Sequence, residues 1–334
     1  MKDYRAKENR VEYFTDLYRM NLQHGVMPGL VYLYMPKLAE RYGWDAEQKL
    51  WFAFLNGNTQ NPITSLRIMQ EFPTPVTSDK DLKKFTDWFN ANWETLSFDT
   101  DRRYQKKELP LSVQFYGGLV ELYGSQEKLL TGSFSELWDR VISKFHSFGR
   151  LATFSYLEYV KIMGFGAECD NLFLEDKSGS KSHRNGLLFL LGLDHLVWDK
   201  RMGEASHDGK YGNFHRMCEW LTNNAMSYLQ NCEIEHKDAG FFTLESQCCQ
   251  FKNGFFRRRY PGVYADMAWD RIKWYEDRDM GDLTKVFRQI REDNLPEWLR
   301  MECEDNAFKY LNHVNKRASK FADTGVPFRA EYFM

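Results

Sequence analysis

The sequence has no long apolar run, no C-x-x-C cysteine pair and no glycine-rich phosphate loop. Its longest apolar stretch, GLLFLLGL at residues 186–193, is far shorter than the roughly 20 residues that a membrane-spanning helix needs. The six cysteines are scattered without a C-x-x-C pair, as expected for reduced thiols. Walker and dinucleotide-binding glycine patterns are also missing. These absences argue against membrane-spanning proteins, disulfide-stapled secreted proteins, iron–sulfur proteins and P-loop enzymes.

An excess of charge of one sign is missing too. Lys and Arg number 45 against 47 Asp and Glu, so the formal net charge is -2. This balance does not decide for or against nucleic acid, because a neutral protein can carry one basic face. The first residues, MKDYRAKENRVEYF, are charged where a secretory signal is apolar. We therefore expect a soluble intracellular protein.

Helical periodicity dominates what is present. Asp45 is placed as an N-cap before Leu50 and Phe54, and Ser133 and Glu136 have the spacing of a capping box. Strict two-residue alternation is missing, so strands are minor at best. The sequence predicts a mainly α protein, of one large domain or two moderate ones.

An uncharged polar segment interrupts this pattern where an apolar helix ends. It reads FLNGNTQNPITS at residues 54–65. The amides of Asn56, Asn58, Gln60 and Asn61 offer both donors and acceptors, which could bind a polar ligand. They suit the capping of a turn equally well, and the sequence leaves both interpretations open.

The stretch SKFHSFGRLATFSYLEYV at residues 143–160 predicts two helices joined by a tight turn at Ser147–Gly149. The N–H groups at the start of the second helix, near Leu151, form a natural seat for a phosphate. An ordinary helical hairpin is the alternative.

A carboxylate follows at an apolar edge. Asp176 comes directly after Leu172–Leu174 and Glu175, where a raised pKa would let it act as a general base. Glu175 is a neighbouring candidate, and an N-cap role for Asp176 is the alternative.

Cations gather in two places, and their guanidinium and ammonium groups could bind a phosphate-bearing ligand. FKNGFFRRRYPGVY at residues 251–264 carries three consecutive arginines, and DKSGSKSHRNG at residues 176–186 carries Lys181 and Arg184. A solvated helix end or a contact with the DNA backbone is the alternative. The mixed run DTDRRYQKKE at residues 99–108 predicts a solvated surface loop.

Other reactive residues give weaker signals. Cys248 or Cys249 would supply a thiolate nucleophile for a covalent route, although buried cysteines are usually inert packing residues. His207, His215 and Cys218 lack a second tight pair, so we predict no metal site.

In chain order, FLNGNTQNPITSLRIMQEFP, FHSFGRLATFSYLEYV and Asp176 resemble the helix-hairpin-helix DNA glycosylase superfamily. The resemblance implies that Gln60 enters the DNA, that Ser147 to Arg150 grip the backbone, and that Asp176 is the catalytic acid. The hairpin reads Ser-Phe-Gly here, where the superfamily has Gly-x-Gly. The spacing from the hairpin to Asp176 is also longer, so Asp170 competes for the role.

WFAFLNGNTQNPITS, SGSKSHRNGL and RRRYPGVYADM are similar to the phage α-glutamyl/putrescinyl thymine pyrophosphorylases, or amino acid:DNA transferases. The resemblance implies a helix-hairpin-helix glycosylase-like fold with additional C-terminal helices. It implies a transferase in the cytoplasm of the infected bacterium, acting on DNA that contains pyrophosphorylated 5-hydroxymethyluracil. An amine, from glycine, glutamate or putrescine, displaces pyrophosphate. No cofactor is certain, and Mg²⁺ delivered with the pyrophosphate leaves no sequence trace.

This resemblance assigns a role to each candidate residue. The assignments are Asn56, Asn58, Gln60 and Asn61 to the base; Ser147, Gly149 and Arg150 to the DNA backbone; Lys181, Arg184, Arg257, Arg258, Arg259 and Tyr260 to pyrophosphate or DNA; and Asp176 and Asp266 to catalysis. We expect a glycosylase-like region at residues 1–195 and a C-terminal region at 196–334, packed into one globular unit. The alternatives are a glycosylase, with Asp176 activating water, and a non-catalytic DNA-binding protein.

Overall fold

The computed structural model describes residues 5–176, 181–197, 214–256 and 259–300. Within these ranges the regular structure consists of α- and 3-10 helices, with no strand, so the prediction of a mainly α protein is confirmed. No helix in these ranges has the length and apolar character needed to cross a bilayer. The glycosylase-like arrangement of the helices remains a prediction.

The helices are numbered here in chain order. They are α1 (Arg10–His24), α2 (Val31–Tyr42), α3 (Ala46–Thr59), α4 (Pro62–Glu71), α5 (Asp79–Asn92), α6 (Leu109–Tyr123), α7 (Gln126–Leu129), α8 (Phe134–Lys144), α9 (Arg150–Ile162), α10 (Lys181–Leu190), α11 (Phe214–Asn231), α12 (Phe241–Phe255), α13 (Val263–Glu276), α14 (Gly281–Asn294) and α15 (Glu297–Arg300). Short 3-10 helices lie at Lys7–Asn9, Pro28–Leu30, Trp93–Thr95, Thr100–Tyr104, Lys106–Glu108 and Asp194–Leu196.

The chain forms two compact units. The first contains residues 1–28, 169–270 and 295–334, and the second contains residues 29–168 and 271–294. Residue 195, the predicted boundary, lies inside the first unit, and residues beyond 196 contribute to both. The predicted division of the chain and its packing as one globular unit remain predictions.

Helix α3 is the central element of the second unit. A capping box starts it: Asp45 accepts from the Gln48 N–H at 2.8 Å, and the Gln48 side chain accepts from the Asp45 N–H at 3.2 Å. Residues 50–55 are buried on every face of the helix, as expected for a helix at the centre of a core. At Gly57 a Cβ would lie 3.1 Å from the Tyr156 Cβ, so a glycine lets α9 pack closely on α3.

In the first unit α10 packs closely against α12. A Cβ on Gly186 would lie 2.2 Å from the Cys248 carbonyl oxygen, so only glycine allows the two backbones to approach this far. Helix α1 joins them through Asn21, whose amide donates to the Gln247 and Gln250 side chains at 2.7 and 2.6 Å. The motif that starts α10 therefore lies beside the helix that leads into the arginine run.

Candidate functional site

The uncharged polar segment forms a sharp turn between α3 and α4. Gln60 adopts the left-handed conformation with φ 49°, and its N–H donates to the Asn56 carbonyl at 2.7 Å. Asn61 then caps α4, because its Oδ1 accepts from the Ile63 and Thr64 N–H groups at 3.1 and 3.2 Å. A left-handed residue other than glycine costs about 1–3 kcal/mol, so the surrounding structure must hold Gln60 in place.

The three asparagines of the turn are buried and engaged. Asn58 Oδ1 accepts from Arg102 at 3.2 Å, and Asn61 Nδ2 donates to Asp99 at 3.3 Å. Asn56 Oδ1 accepts from a hydroxyl of α4 at 3.2 Å. Each side chain is at most 1% exposed. These amides build the turn, which is the capping interpretation that the sequence left open.

Gln60 differs from the asparagines. The Thr100 hydroxyl donates to its Oε1 and so fixes the amide plane. Its Nε2 is buried without a hydrogen-bond partner, although the residue is 8% exposed. Asn56 Nδ2 also lacks a partner, but that residue is wholly buried. Of the four residues predicted to meet a base, Gln60 alone has a side-chain donor without a partner in a residue that keeps some exposed surface.

The run at residues 99–108 is largely exposed, as the sequence predicted, but it is not an irregular loop. It forms two short 3-10 helices, and the exposed fraction of Arg102 is 2%. The Arg102 guanidinium donates to the Asn58 carbonyl at 3.0 Å and to the Ser147 carbonyl at 2.6 Å. Arg102 therefore ties the polar turn to the α8–α9 hairpin. The burial of Arg102 was not predicted because these partners lie more than forty residues away in sequence.

Asp99 anchors the start of the same run. Its carboxylate accepts from Arg271 Nε at 2.9 Å and from Asn61, and its N–H donates to the Thr59 carbonyl at 2.9 Å. Burial raises the pKa of the Asp99 carboxyl, while the Arg271 guanidinium opposes the shift. Asp99, Arg102 and Arg271 are thus parts of the site that composition alone did not reveal.

The predicted hairpin is present, with α8 ending at Lys144 and α9 beginning at Arg150. Ser147 is left-handed, with φ 62°. Gly149 precedes α9 with φ -85° and ψ -174°, and no side chain caps the first turn. A Cβ on Gly149 would meet no atom within 4 Å. Nothing within the described chain therefore requires glycine at this position.

The predicted catalytic Asp176 lies in the first unit beside a buried cation. Arg184 is wholly buried and donates to the carbonyl oxygens of Leu174 and, at 3.3 Å, Asp176. Its guanidinium also lies 5.2 Å from the centre of the Phe214 ring. Arg184 therefore holds the backbone that carries Asp176, whose side chain is half-exposed. Glu175 pairs with His215 at the surface.

A polar cluster lies where α10 packs on α12. Lys252 Nζ donates to the Ser182 hydroxyl at 3.1 Å, and His183 Nδ1 lies 3.1 Å from a Glu245 carboxylate oxygen. We call Ser182, His183, Glu245, Cys249 and Lys252 the α10–α12 cluster. Glu245, Cys249 and Lys252 are spaced i, i+4 and i+7, which puts them on one helix face. That spacing was the sequence signal that could have found them.

His183 is held between two acceptors. Its Nε2 lies 3.2 Å from the Leu172 carbonyl oxygen, which can only accept, and its Nδ1 faces the Glu245 carboxylate. An imidazole with one proton satisfies only one of these acceptors. His183 therefore lies between the Leu172 backbone and the Glu245 side chain of α12.

The cysteine route receives no support from this environment. Burial, and after it the charge of Glu245, raises the pKa of the Cys249 thiol against the opposing influence of Lys252 and Arg259. Burial likewise raises the pKa of the Cys248 thiol. A neutral thiol is a poor nucleophile.

The segment after α12 carries the other predicted residues. Arg257 and Arg258 lie outside the described residues, and Arg259 is half-buried. The Tyr260 hydroxyl donates to Asp266 at 2.7 Å, and both side chains are buried. In the described ranges no three His, Cys, Asp or Glu side chains are grouped to hold a metal ion.

Comparison with known proteins adds a family. The model of a family described as amino acid:DNA transferase matches residues 31–260. The chain is also similar to a serinyltransferase of Salmonella phage ViI, with 31% identity over 301 residues that cover 84% of this chain and 71% of that relative. No solved structure matches. The matched range contains the polar turn, the hairpin, Asp176 and the α10–α12 cluster.

Proposed function

The chain belongs to the amino acid:DNA transferase family, and from this membership we propose that it displaces pyrophosphate from 5-pyrophosphoryloxymethyl-uracil in DNA. It is a transferase that moves an amino acid onto DNA. In the proposed reaction a bond forms between the nucleophile and the exocyclic methylene carbon. The bond from that carbon to the pyrophosphate oxygen breaks, and the proton of the nucleophile passes to a carboxylate.

The observation that carries the base-binding part of the proposal is the free donor of Gln60. Uracil presents two carbonyl oxygens, which accept hydrogen bonds. The Gln60 Nε2 has no partner, while the Thr100 hydroxyl holds the other end of the amide. A donor whose orientation is fixed before binding loses little entropy when an acceptor arrives. We assign Gln60 to the base and assign Asn56, Asn58 and Asn61 to holding the turn.

The α8–α9 hairpin is the proposed contact with the DNA backbone. The first N–H groups of α9 are without a side-chain cap, and such groups attract phosphate. The space around Gly149 supports a close approach by a ligand. Ser147 and Arg150 flank this position, and Arg102 fixes the Ser147 carbonyl.

The cations of the first unit are the proposed binding site for the leaving group. Lys252 and Arg259 join Lys181 and the Ser182 hydroxyl, and Arg257 and Arg258 belong to the same predicted set. Arg184 supports the proposal indirectly, because it holds the Asp176 backbone. Ammonium and guanidinium groups stabilise the charge that develops on departing pyrophosphate, with or without a Mg²⁺ ion that arrives with the substrate.

The nucleophile is proposed to be an amino acid. The phage ViI relative is described as a serinyltransferase, so serine is the first candidate, followed by glycine, glutamate and putrescine. An ammonium group must lose a proton before it can attack. Asp176 is the proposed base because it is half-exposed, whereas Asp266 is buried and already accepts from Tyr260. The proposed setting is the cytoplasm of an infected bacterium.

The test uses DNA that contains 5-pyrophosphoryloxymethyl-uracil, incubated with the protein and a mixture of serine, glycine, glutamate and putrescine. The DNA is digested to nucleosides for mass analysis, and released pyrophosphate is measured. An adduct with equimolar pyrophosphate is the expected result. Abasic sites would instead indicate a glycosylase. Unchanged nucleosides together with salt-sensitive DNA binding would indicate a non-catalytic DNA-binding protein.

A further inference from the structure

Tyr104 is the most exposed large apolar side chain in the part of the chain that the structure describes, with 82% of its surface accessible. Single exposed aromatic residues are common, so exposure alone decides nothing. Tyr104 differs because it ends the 3-10 helix Thr100–Tyr104, which is fixed to both predicted DNA contacts. Thr100 donates to Gln60, and Arg102 donates to Ser147.

The backbone of the 3-10 helix Thr100–Tyr104 and of the residues that it contacts is strained. Gln60, Thr100 and Ser147 have φ values of 49°, 51° and 62°, and a β-branched residue such as Thr100 rarely adopts a positive φ. Each such residue costs about 1–3 kcal/mol, and strain of this kind clusters at functional sites. Hydrogen bonds from Thr100 and from Arg102 link the three positions. The segment thus holds its last residue, Tyr104, at a defined place.

The charge beside Tyr104 suits a nucleic acid. The Arg103 guanidinium lies 5.9 Å from the centre of the Tyr104 ring, and Arg103 and Lys107 are both exposed. Exposed aromatic rings interleaved with cations are the arrangement on which unpaired bases stack while phosphates are neutralised. A base that leaves the duplex also leaves a neighbour with an uncovered face.

We propose that Tyr104 stacks on a nucleobase of the DNA substrate, and that residues 99–104 set its position relative to Gln60 and the hairpin. The inference rests on the proposed function for the identity of the substrate as DNA. It adds a DNA-contacting residue outside the polar turn and the hairpin. The Tyr104 ring supplies the π-face, and Arg103 supplies the charge for the adjoining phosphate.

The test measures binding of an unmodified single-stranded oligonucleotide by fluorescence anisotropy over a range of salt concentrations. Tyr104→Ala should weaken binding roughly 5- to 150-fold, the effect of losing one stacked base. Tyr104→Phe and Tyr104→Trp should restore it, and the salt slope should not change because stacking releases no counterions. Leu122→Ala is the matched control, since Leu122 is 74% exposed in the same unit.

Native affinity in Tyr104→Ala, failure of Tyr104→Phe to rescue, or a reduced salt slope would each overturn the proposal. Selective binding of RNA over DNA by the native protein would overturn it as well. Because the probe carries no pyrophosphate and no turnover is measured, loss of the proposed transfer reaction would leave this result standing. Each variant is checked by thermal unfolding, which an exposed side chain should leave unchanged.

Discussion

At the residue scale, Gln60 is where the proposed chemistry depends on one hydrogen bond. Gln60→Ala should lower kcat/KM for DNA roughly 5- to 150-fold, because about 1–3 kcal/mol of binding to a carbonyl acceptor is lost. Gln60→Ala also removes the acceptor of the Thr100 hydroxyl, so the free energy of unfolding should fall by about 1 kcal/mol. Steady-state kinetics and urea unfolding measure the two effects. Gln114→Ala is the control, because Gln114 is an exposed glutamine of the same unit.

Gln60→Glu refines this prediction. The substitution keeps the shape of the side chain but removes the Nε2 donor, so activity should fall as far as in Gln60→Ala. If Gln60→Glu retained native kcat/KM, donation to a base carbonyl would be the wrong role for this residue.

In contrast to Gln60, Arg102 should matter mainly for the stability of the protein. Arg102→Met removes the donors to the carbonyl oxygens of Asn58 and Ser147 and leaves both without those bonds. We expect a loss of about 2–4 kcal/mol in the free energy of unfolding. Arg103→Met, at an exposed neighbour, should cost less than about 0.5 kcal/mol. Equal losses from both variants in urea unfolding would contradict the bridging role.

At the element scale, a substitution at the start of α9 should weaken DNA binding while leaving the stability of the protein nearly unchanged. Gly149→Ala removes a glycine from an ordinary extended conformation with open space around it. Alanine lowers the conformational entropy of the unfolded chain, which stabilises the protein, but it is a weaker N-cap than glycine, which destabilises it. The two effects oppose one another, so stability should change by less than about 1 kcal/mol. DNA binding should weaken roughly tenfold, because the new methyl group stands where a phosphate approaches.

The control for this prediction is Gly118→Ala in α6, where a Cβ also meets nothing within 4 Å. DNA affinity should be native in Gly118→Ala. If Gly149→Ala also bound DNA with native affinity, the first turn of α9 would not be the backbone contact. Anisotropy with a duplex oligonucleotide measures both variants.

At the scale of the whole molecule, local signals predicted the elements but not their partners. The N-cap at Asp45, the capping box at Ser133 and the α8–α9 hairpin could all be predicted because their physics spans a few residues. The burial of Arg102 could not be predicted, since Asn58 and Ser147 are distant in sequence. Composition likewise could not distinguish an amide that caps the turn from one, such as that of Gln60, whose donor is left without a partner.

In the first unit, too, contacts between residues distant in sequence could not be predicted. Lys181 was predicted from its charge, whereas Glu245 and Lys252 were missed because a polar helix face is usually only solvated. What separates them from a solvated face is the approach of α10, which the small Gly186 allows. A helix contact of this kind depends on the fold as a whole, and Gly186 is the only sign of it in the sequence.

The proposed leaving-group site in the first unit gives the last prediction. If the cations of the first unit bind the leaving group, pyrophosphate should inhibit transfer as a product, and Lys252→Met or Arg259→Met should raise the inhibiting concentration about tenfold. Gln60→Ala should change kcat/KM for DNA and leave this inhibition unchanged. Lys237→Met, at an exposed lysine of the first unit, is the control. Native inhibition in both cation variants would remove Lys252 and Arg259 from the leaving-group site, because a charge that contacts pyrophosphate cannot be lost without weakening its binding.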